Sequence, residues 1–281
     1  MAYAVNGETR LFYEQTGAGV PVIFVHEFGG DHRSWEPQVR YLSRFYRCVS
    51  FNARGYPPSD VPADVSAYSQ DIFIDDFRAV LDGLGVERAH LVGLSMGSST
   101  VLGFTLRHPH RARSMVVCGC GYGSVPEQRE DWLRANAEMA EALMRDAAGT
   151  ADTYARGPTR MPFKIKDPRG WADFEAGLKA LDPMGASLTL KGVQPSRPRV
   201  FELEADLAAL DVPALIVAGD EDDPALEPAL FLKRRIPRAG LWVIPRTGHA
   251  VNTEEPDFFN RALLDFFTVV DNQRWPAQSL G

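Results

Sequence analysis

Two hydrophobic rhythms alternate along the chain, lapse near Tyr122 and return after about residue 204. Short apolar runs bounded by Gly, Pro, Asn or Asp read as buried strands. These are Arg10–Thr16, Val22-Ile23-Phe24-Val25 ending at His26, Tyr46–Phe51, Ala89-His90-Leu91-Val92, Arg113–Cys118, Pro213–Gly219 and Gly240–Pro245. Between them, Asp71–Leu84 carries Ile72, Phe73, Phe77, Val80, Leu81 and Leu84 at helical spacing, with Gly85 as the stop. Ser98–Arg107 is compatible with a helix, and Glu255–Val269 closes the pattern as a helix around Pro256. Strands alternating with helices predict an α/β fold with a mostly parallel central sheet flanked by helices.

From Tyr122 to about Glu204 the alternation is gone. One strong helix is predicted over Pro126–Ala147, with proline in its first turn. Gly- and Pro-broken pieces follow, rich in Met161, Phe163, Trp171, Phe174 and Met184. The expected organisation is a core formed by residues 1–121 and 205–281, interrupted by a helical insertion over 122–204. At 281 residues and 45% hydrophobic content, the chain can bury a core large enough for that arrangement. No low-complexity tract or fixed-period repeat suggests a solenoid or propeller.

Charge narrows the function classes. A net charge of −7 disfavours nucleic acid, whose phosphates need a basic surface. No apolar run approaches the roughly 20 residues that span a bilayer. The start of the chain, Met1 to Gly7, lacks a basic region followed by an apolar one. Three cysteines, an odd number, suit free thiols in a reducing compartment, so a cytoplasmic location is expected. The expected partner is a small-molecule substrate, without nucleic acid or membrane, and a homodimer is left open.

Chemistry concentrates at Gly93-Leu94-Ser95-Met96-Gly97, between a strand-like and a helix-like segment. A sharp strand-to-helix turn strains the serine backbone and lifts its hydroxyl out of the sheet. The glycines two before and two after leave room for that turn, and the Met96 N–H points toward any oxyanion formed there. A nucleophilic serine needs a base, and the base needs an acid. Downstream, the run ending at Gly219 opens into Asp220-Glu221-Asp222-Asp223, and the run ending at Pro245 opens into Arg246-Thr247-Gly248-His249. Asp220, Asp222 and Asp223 compete for the acid, and His249 is the candidate base.

Serine, acid and histidine in that order, each just past a strand, resemble the α/β-hydrolase fold superfamily over nearly the whole chain. The family's Gly-x-x-Asp spacing selects Asp222. Val22 to Gly30 is similar to the family's strand and oxyanion loop, which implies the Phe28 N–H as the other oxyanion donor. Asn52 to Asp60 is similar to the family's Asp-x-Arg-Gly-x-Gly-x-Ser loop. The chain departs from the pattern at Glu27, which stands where glycine is usual and brings a potential negative charge beside the oxyanion site, and at Asn52 and Pro57.

The resemblance implies a capped serine hydrolase acting on a carboxylic ester or lactone. It leaves open a carbon–carbon hydrolase of diketone-like compounds, a cofactor-free perhydrolase or haloperoxidase, and a non-enzymatic ligand receptor. The insertion lies where capped members carry a lid, and Trp132, Met139, Phe163 and Trp171 are the residues expected to line a substrate pocket. Five cations there, Arg156, Arg160, Lys164, Lys166 and Arg169, read first as a solvated face balanced by acidic neighbours and second as an attractor for a carboxylated substrate. His26 reads as a structural hydrogen-bonder, His32 as solvated, and Cys118 and Cys120 as small core residues. No metal-ligand spacing and no glycine-rich phosphate loop is present in the sequence, so no metal and no cofactor are expected.

Overall fold

Eight strands form one sheet in a computed structural model that describes residues 2–277. In chain order they are β1 (Ala2–Asn6), β2 (Thr9–Thr16), β3 (Pro21–Val25), β4 (Arg47–Phe51), β5 (Ala89–Leu94), β6 (Ala112–Cys118), β7 (Ala214–Gly219) and β8 (Ala239–Ile244). Across the sheet the order is β1-β2-β4-β3-β5-β6-β7-β8. The β1–β2 and β2–β4 pairings are antiparallel, and the others are parallel. Met1 and residues 278–281, the outer ends of the expected core segments, lie outside the described residues.

Strands β5 and β7 are buried at every position, which is why their sequences run apolar without alternation. In β3 the pleat divides the side chains: Ile23 and Val25 join the cluster under one face, and Val22 and Phe24 join the other. The first face packs against α2 (Gln70–Gly83) and α3 (Met96–Arg107); the second packs against α1 (Glu36–Leu42), which precedes both. Ser69 caps α2 through the Ile72 N–H. Gly85, at φ 64, ends it by letting the Val86 N–H reach back to the Leu81 carbonyl at 2.9 Å.

The stretch after β6 holds helices and turns only: α4 (Arg129–Arg145), α5 (Ala147–Ala155), α6 (Met161–Lys166), α7 (Pro168–Lys179), α8 (Pro183–Leu188), α9 (Gln194–Ser196) and α10 (Glu204–Ala208). The single helix expected over Pro126–Ala147 is divided: Asp146 ends α4 and caps α5 by accepting the Gly149 N–H at 3.0 Å. After β7 comes α11 (Asp223–Arg235), and after β8 come α12 (Val251–Glu254) and α13 (Pro256–Asp271). The helical stretch lies on the carboxyl ends of the strands. Gly185 packs on Gly55 after β4, Tyr154 and Leu178 face Gly29 after β3, and the Thr159 carbonyl accepts the His249 N–H at 2.9 Å after β8.

Candidate active site

Ser95 leaves β5 with φ 54 and ψ −113, a left-handed conformation that costs a non-glycine residue about 1–3 kcal/mol. Its surroundings hold it there. The Ser95 N–H donates to the Cys118 carbonyl at 2.8 Å, and the Ser95 carbonyl accepts the Ser98 hydroxyl at 2.6 Å and the Ser99 N–H at 3.1 Å. A side chain at Gly93 would strike the Gly97 backbone, and one at Gly97 would strike the Val25 carbonyl, so the turn closes only with glycine at both places. Ser95 stays partly exposed between buried neighbours. Met96 opens α3, so no preceding turn supplies an acceptor for its N–H.

Of the three competing carboxylates, Asp222 reaches His249. Its Oδ2 accepts the His249 Nδ1–H at 2.7 Å, and both side chains are buried. Asp223 instead begins α11, and Asp220 accepts the Thr247 N–H at 3.2 Å. With Nδ1 protonated, Nε2 is free to accept a proton. Tyr122, which the sequence pattern did not single out, donates its hydroxyl to the second Asp222 oxygen. Its ring also packs edge-on against His249, centroids 4.7 Å apart. Burial alone would push the Asp222 carboxyl up; the His249 charge and hydrogen bond, the Tyr122 hydroxyl and Arg160 outweigh it and hold it below its ordinary value. Burial and then Asp222 push the Tyr122 phenol up, so it remains a donor. Gly119, directly after the Cys118 whose carbonyl anchors the Ser95 backbone, packs against the His249 ring, so the end of β6 borders both residues.

The loop after β3 carries Glu27 and Phe28. His26 anchors it: Nε2 accepts the Ala53 N–H at 3.0 Å, which leaves Nδ1–H to donate to the Glu27 carbonyl at 2.7 Å. The Phe28 carbonyl accepts the Tyr56 hydroxyl at 3.0 Å, and its ring packs on Tyr154. Glu27 is 3% exposed, a depth at which a lone carboxylate would be unaffordable. Arg160 supplies the opposite charge from the helical stretch: Nη1 donates to Oε1 at 3.0 Å and Nη2 to Oε2. Nη2 also donates to the Tyr154 hydroxyl at 3.0 Å. Burial pushes the Glu27 carboxyl up, but Arg160 and His249 bring it below its ordinary value. Burial opposes the Arg160 charge, and Glu27 raises its pKa overall. Glu27 Oε2 lies 4.0 Å from His249 Nε2.

The five cations therefore part company. Arg156 pairs with Asp152 and Glu175, Lys166 reaches Glu254 at 3.0 Å, and Arg169 is exposed, as a balanced surface requires. Lys164 lies over the Trp171 ring at 4.2 Å. Arg160 is neither solvated nor available to a substrate carboxylate, because Glu27 occupies it. Asn52 fills its departure from the family pattern by joining loops: its oxygen accepts the His32 N–H and its amide donates to the Tyr56 and Pro57 carbonyls. His32, expected to be solvated, is bound there at 2.7 Å and packs on Phe12. Cys48, Cys118 and Cys120 are free and buried.

The residues expected to line a pocket are dispersed. Met139 packs, half-buried, against the apolar cluster that also contains Phe28 and Met96. Phe163 borders a cleft that reaches Glu27. Trp132 lies between the Arg129 and Arg197 guanidinium groups, each 5.0 Å from its ring, against Gly123. Trp171 belongs to the core of the helical stretch, where its indole N–H donates to the Ala155 carbonyl at 3.0 Å among Ala151, Phe163 and Leu178. Aromatic content by itself does not separate internal packing from site-facing positions. Among the described residues, no group of three His, Cys, Asp or Glu side chains could hold a metal ion, and no helix is long and apolar enough to cross a membrane.

A mostly parallel sheet with helices on both faces and loops converging at its carboxyl edge defines the α/β class. The family model for the alpha/beta hydrolase fold matches residues 20–256, and the chain belongs to that family. It is 29% identical over 271 residues to a 2-hydroxy-6-oxononadienedioate/2-hydroxy-6-oxononatrienedioate hydrolase of Paraburkholderia phymatum, covering 92% of this chain and 91% of the relative. To 3-oxoadipate enol-lactonase 1 of Acinetobacter baylyi it is 28% identical over 247 residues, 87% of each chain. Among solved structures, Est816, described as an N-acyl homoserine lactone degrading enzyme, superposes with a TM-score of 0.79 at 27% identity, covering 94% of this chain and all of that one.

Proposed function

We propose that the protein is a serine hydrolase that opens a carboxylic ester or lactone of a small to medium, partly apolar substrate through an acyl-enzyme. The observation that carries this reading is the buried Asp222–His249 pair at 2.7 Å on the same sheet edge as Ser95 in its strained turn. In this reading His249 Nε2 takes the Ser95 proton, Ser95 Oγ attacks the carbonyl carbon, and the Phe28 and Met96 N–H groups hold the oxyanion. His249 then gives the proton to the leaving oxygen, and water releases the acyl group by the reverse route. Residues 122–204 act as the cap, and the apolar cluster that contains Phe28 and Met96, with Met139 packed against it, supports an apolar acyl site. The lactone-degrading names of two relatives support the substrate class, and the carbon–carbon hydrolase name of the third makes diketones the second substrate to assay.

Ser95→Ala should lower kcat by about 10⁴-fold or more while leaving the fold intact, and a fluorophosphonate should label Ser95 alone. Chromogenic esters, lactones and vinylogous diketones assayed in parallel decide the bond cleaved. Retained activity in the Ala variant, or label on another serine, overturns the assignment.

A further inference from the structure

Beside the loop after β3 lies a cleft of about 570 Å³, lined by Gly29–Gly30, by residues of α7 and by the apolar Phe163, Phe174 and Leu181. Its lining includes Glu27, Asp31, Glu36, Asp167 and Asp173, and Arg33 is the one cation among the described lining residues. Arg33 is already engaged by Asp31 at 2.6 Å. Arg160 neutralises Glu27 and Arg40 pairs with Glu36 at 3.0 Å, but Asp167 and Asp173 have no cationic partner among the described residues. The cleft thus combines apolar lining with two carboxylates, Asp167 and Asp173, left without a cation, a field that concentrates cations and repels anions.

Glu27 belongs to two places at once. It borders the cleft, and its Oε2 lies 4.0 Å from His249 Nε2. A carboxylate offers about four acceptor positions. Arg160 takes two, one on each oxygen, and no other side-chain bond to Glu27 is formed among the described residues. A buried carboxylate with acceptor capacity left over is suited to a donor that arrives with the ligand.

We propose that the cleft takes the leaving group of the substrate and that Glu27 accepts a hydrogen bond from a donor on it, so that donor-bearing neutral or cationic leaving groups are selected and anionic ones rejected. The inference rests on the serine-hydrolase reading above. It also explains why glycine is absent from this position: the charge beside the oxyanion site is held in balance by Arg160 and used for recognition. The position of Gly177 gives a direct probe, because Gly177 lines the cleft and a Cβ added there meets nothing within 4 Å.

Four butyrate esters of matched size test the proposal: 2-(dimethylammonio)ethyl, 2-(trimethylammonio)ethyl, 3-methylbutyl and carboxymethyl. The first should exceed the third about tenfold in kcat/KM, and the carboxymethyl ester should fall about tenfold below it. The first should also exceed the second, which has the charge but no N–H. Glu27→Gln should erase the difference between the two cationic esters. Should that variant fail to fold, Gly177→Leu should still lower kcat/KM for the branched esters at least about fivefold more than for methyl butyrate. Equal rates for the two cationic esters, an anionic ester as fast as the neutral one, or a Gly177→Leu loss shared by methyl butyrate each overturn the proposal. Ser95→Ala separates the two levels: if it abolishes turnover while the ester ranking is flat, only the recognition by Glu27 falls.

Discussion

Asp222 shows what one residue's surroundings decide. Three aspartates within four positions offer the same carboxylate, but only Asp222 points back at His249, while Asp223 opens a helix and Asp220 holds a turn. Asp222→Asn should hold the imidazole in the wrong tautomer and cost about 10⁴-fold in kcat, whereas Asp223→Asn should cost far less. Comparable losses would remove Asp222 from the acid role. Tyr122 hydrogen-bonds Asp222, and in the proposed serine-hydrolase reading it is a positioning residue. Losing its hydrogen bond to a buried charge is worth about 1.5–3 kcal/mol, so Tyr122→Phe should lower kcat at least about tenfold with KM little changed. A change confined to KM would place Tyr122 in substrate binding.

At the scale of elements, two glycines on helices carry opposite expectations. Gly97 sits in the first turn of α3 with no room for a methyl group against the Val25 carbonyl. Gly97→Ala should force the strand–helix turn apart, lowering stability by about 2–4 kcal/mol together with activity. Gly177 sits in α7 facing open space, so Gly177→Ala should stabilise the protein by about 0.5–1 kcal/mol through helix propensity. Urea unfolding of both variants checks the contrast; a destabilised Gly177→Ala would mean that α7 packs more tightly than the cleft described here allows. The segment from Thr159 to Lys166 matters for the same reason as Gly97. It touches the His249 backbone, Glu27 and Glu254 together, so the helical stretch braces the residues at the carboxyl edge of the sheet.

The whole molecule's response to pH follows from its buried histidines. Burial lowers the pKa of His26 and of His90. The unfolded chain therefore takes up protons below about pH 6.5 that the folded chain refuses, and stability is lost as the pH is lowered, by up to about 1.4 kcal/mol per unit for each histidine until its folded pKa is reached. Glu254 and Asp76, whose carboxyls burial pushes up, act in the opposite sense in acid. The contribution of His26 is isolated by His26→Gln, whose stability should decline less steeply than that of the wild type between about pH 6.5 and 5. Parallel curves in denaturant titrations would show that His26 is protonated without cost.

Periodicity alone determined the α/β class, because burial on one or two faces writes a period of 2, a period of 3.6 or an unbroken apolar run into the residues themselves. The turn at Ser95 and the order of Ser95, the acidic turn and His249 were legible for a similar local reason: glycine at fixed offsets is a steric requirement of the backbone. The edge strand β1 escaped because only Ala4 is buried in it, and α1 because it is seven residues long. Tertiary structure alone paired Glu27 with Arg160 across 133 positions and brought Tyr122 to Asp222 across 100. It also assigned Trp171 to the interior of the helical stretch. Such partnerships depend on which long, flexible side chains meet after the helices pack, and that meeting leaves no period in the sequence.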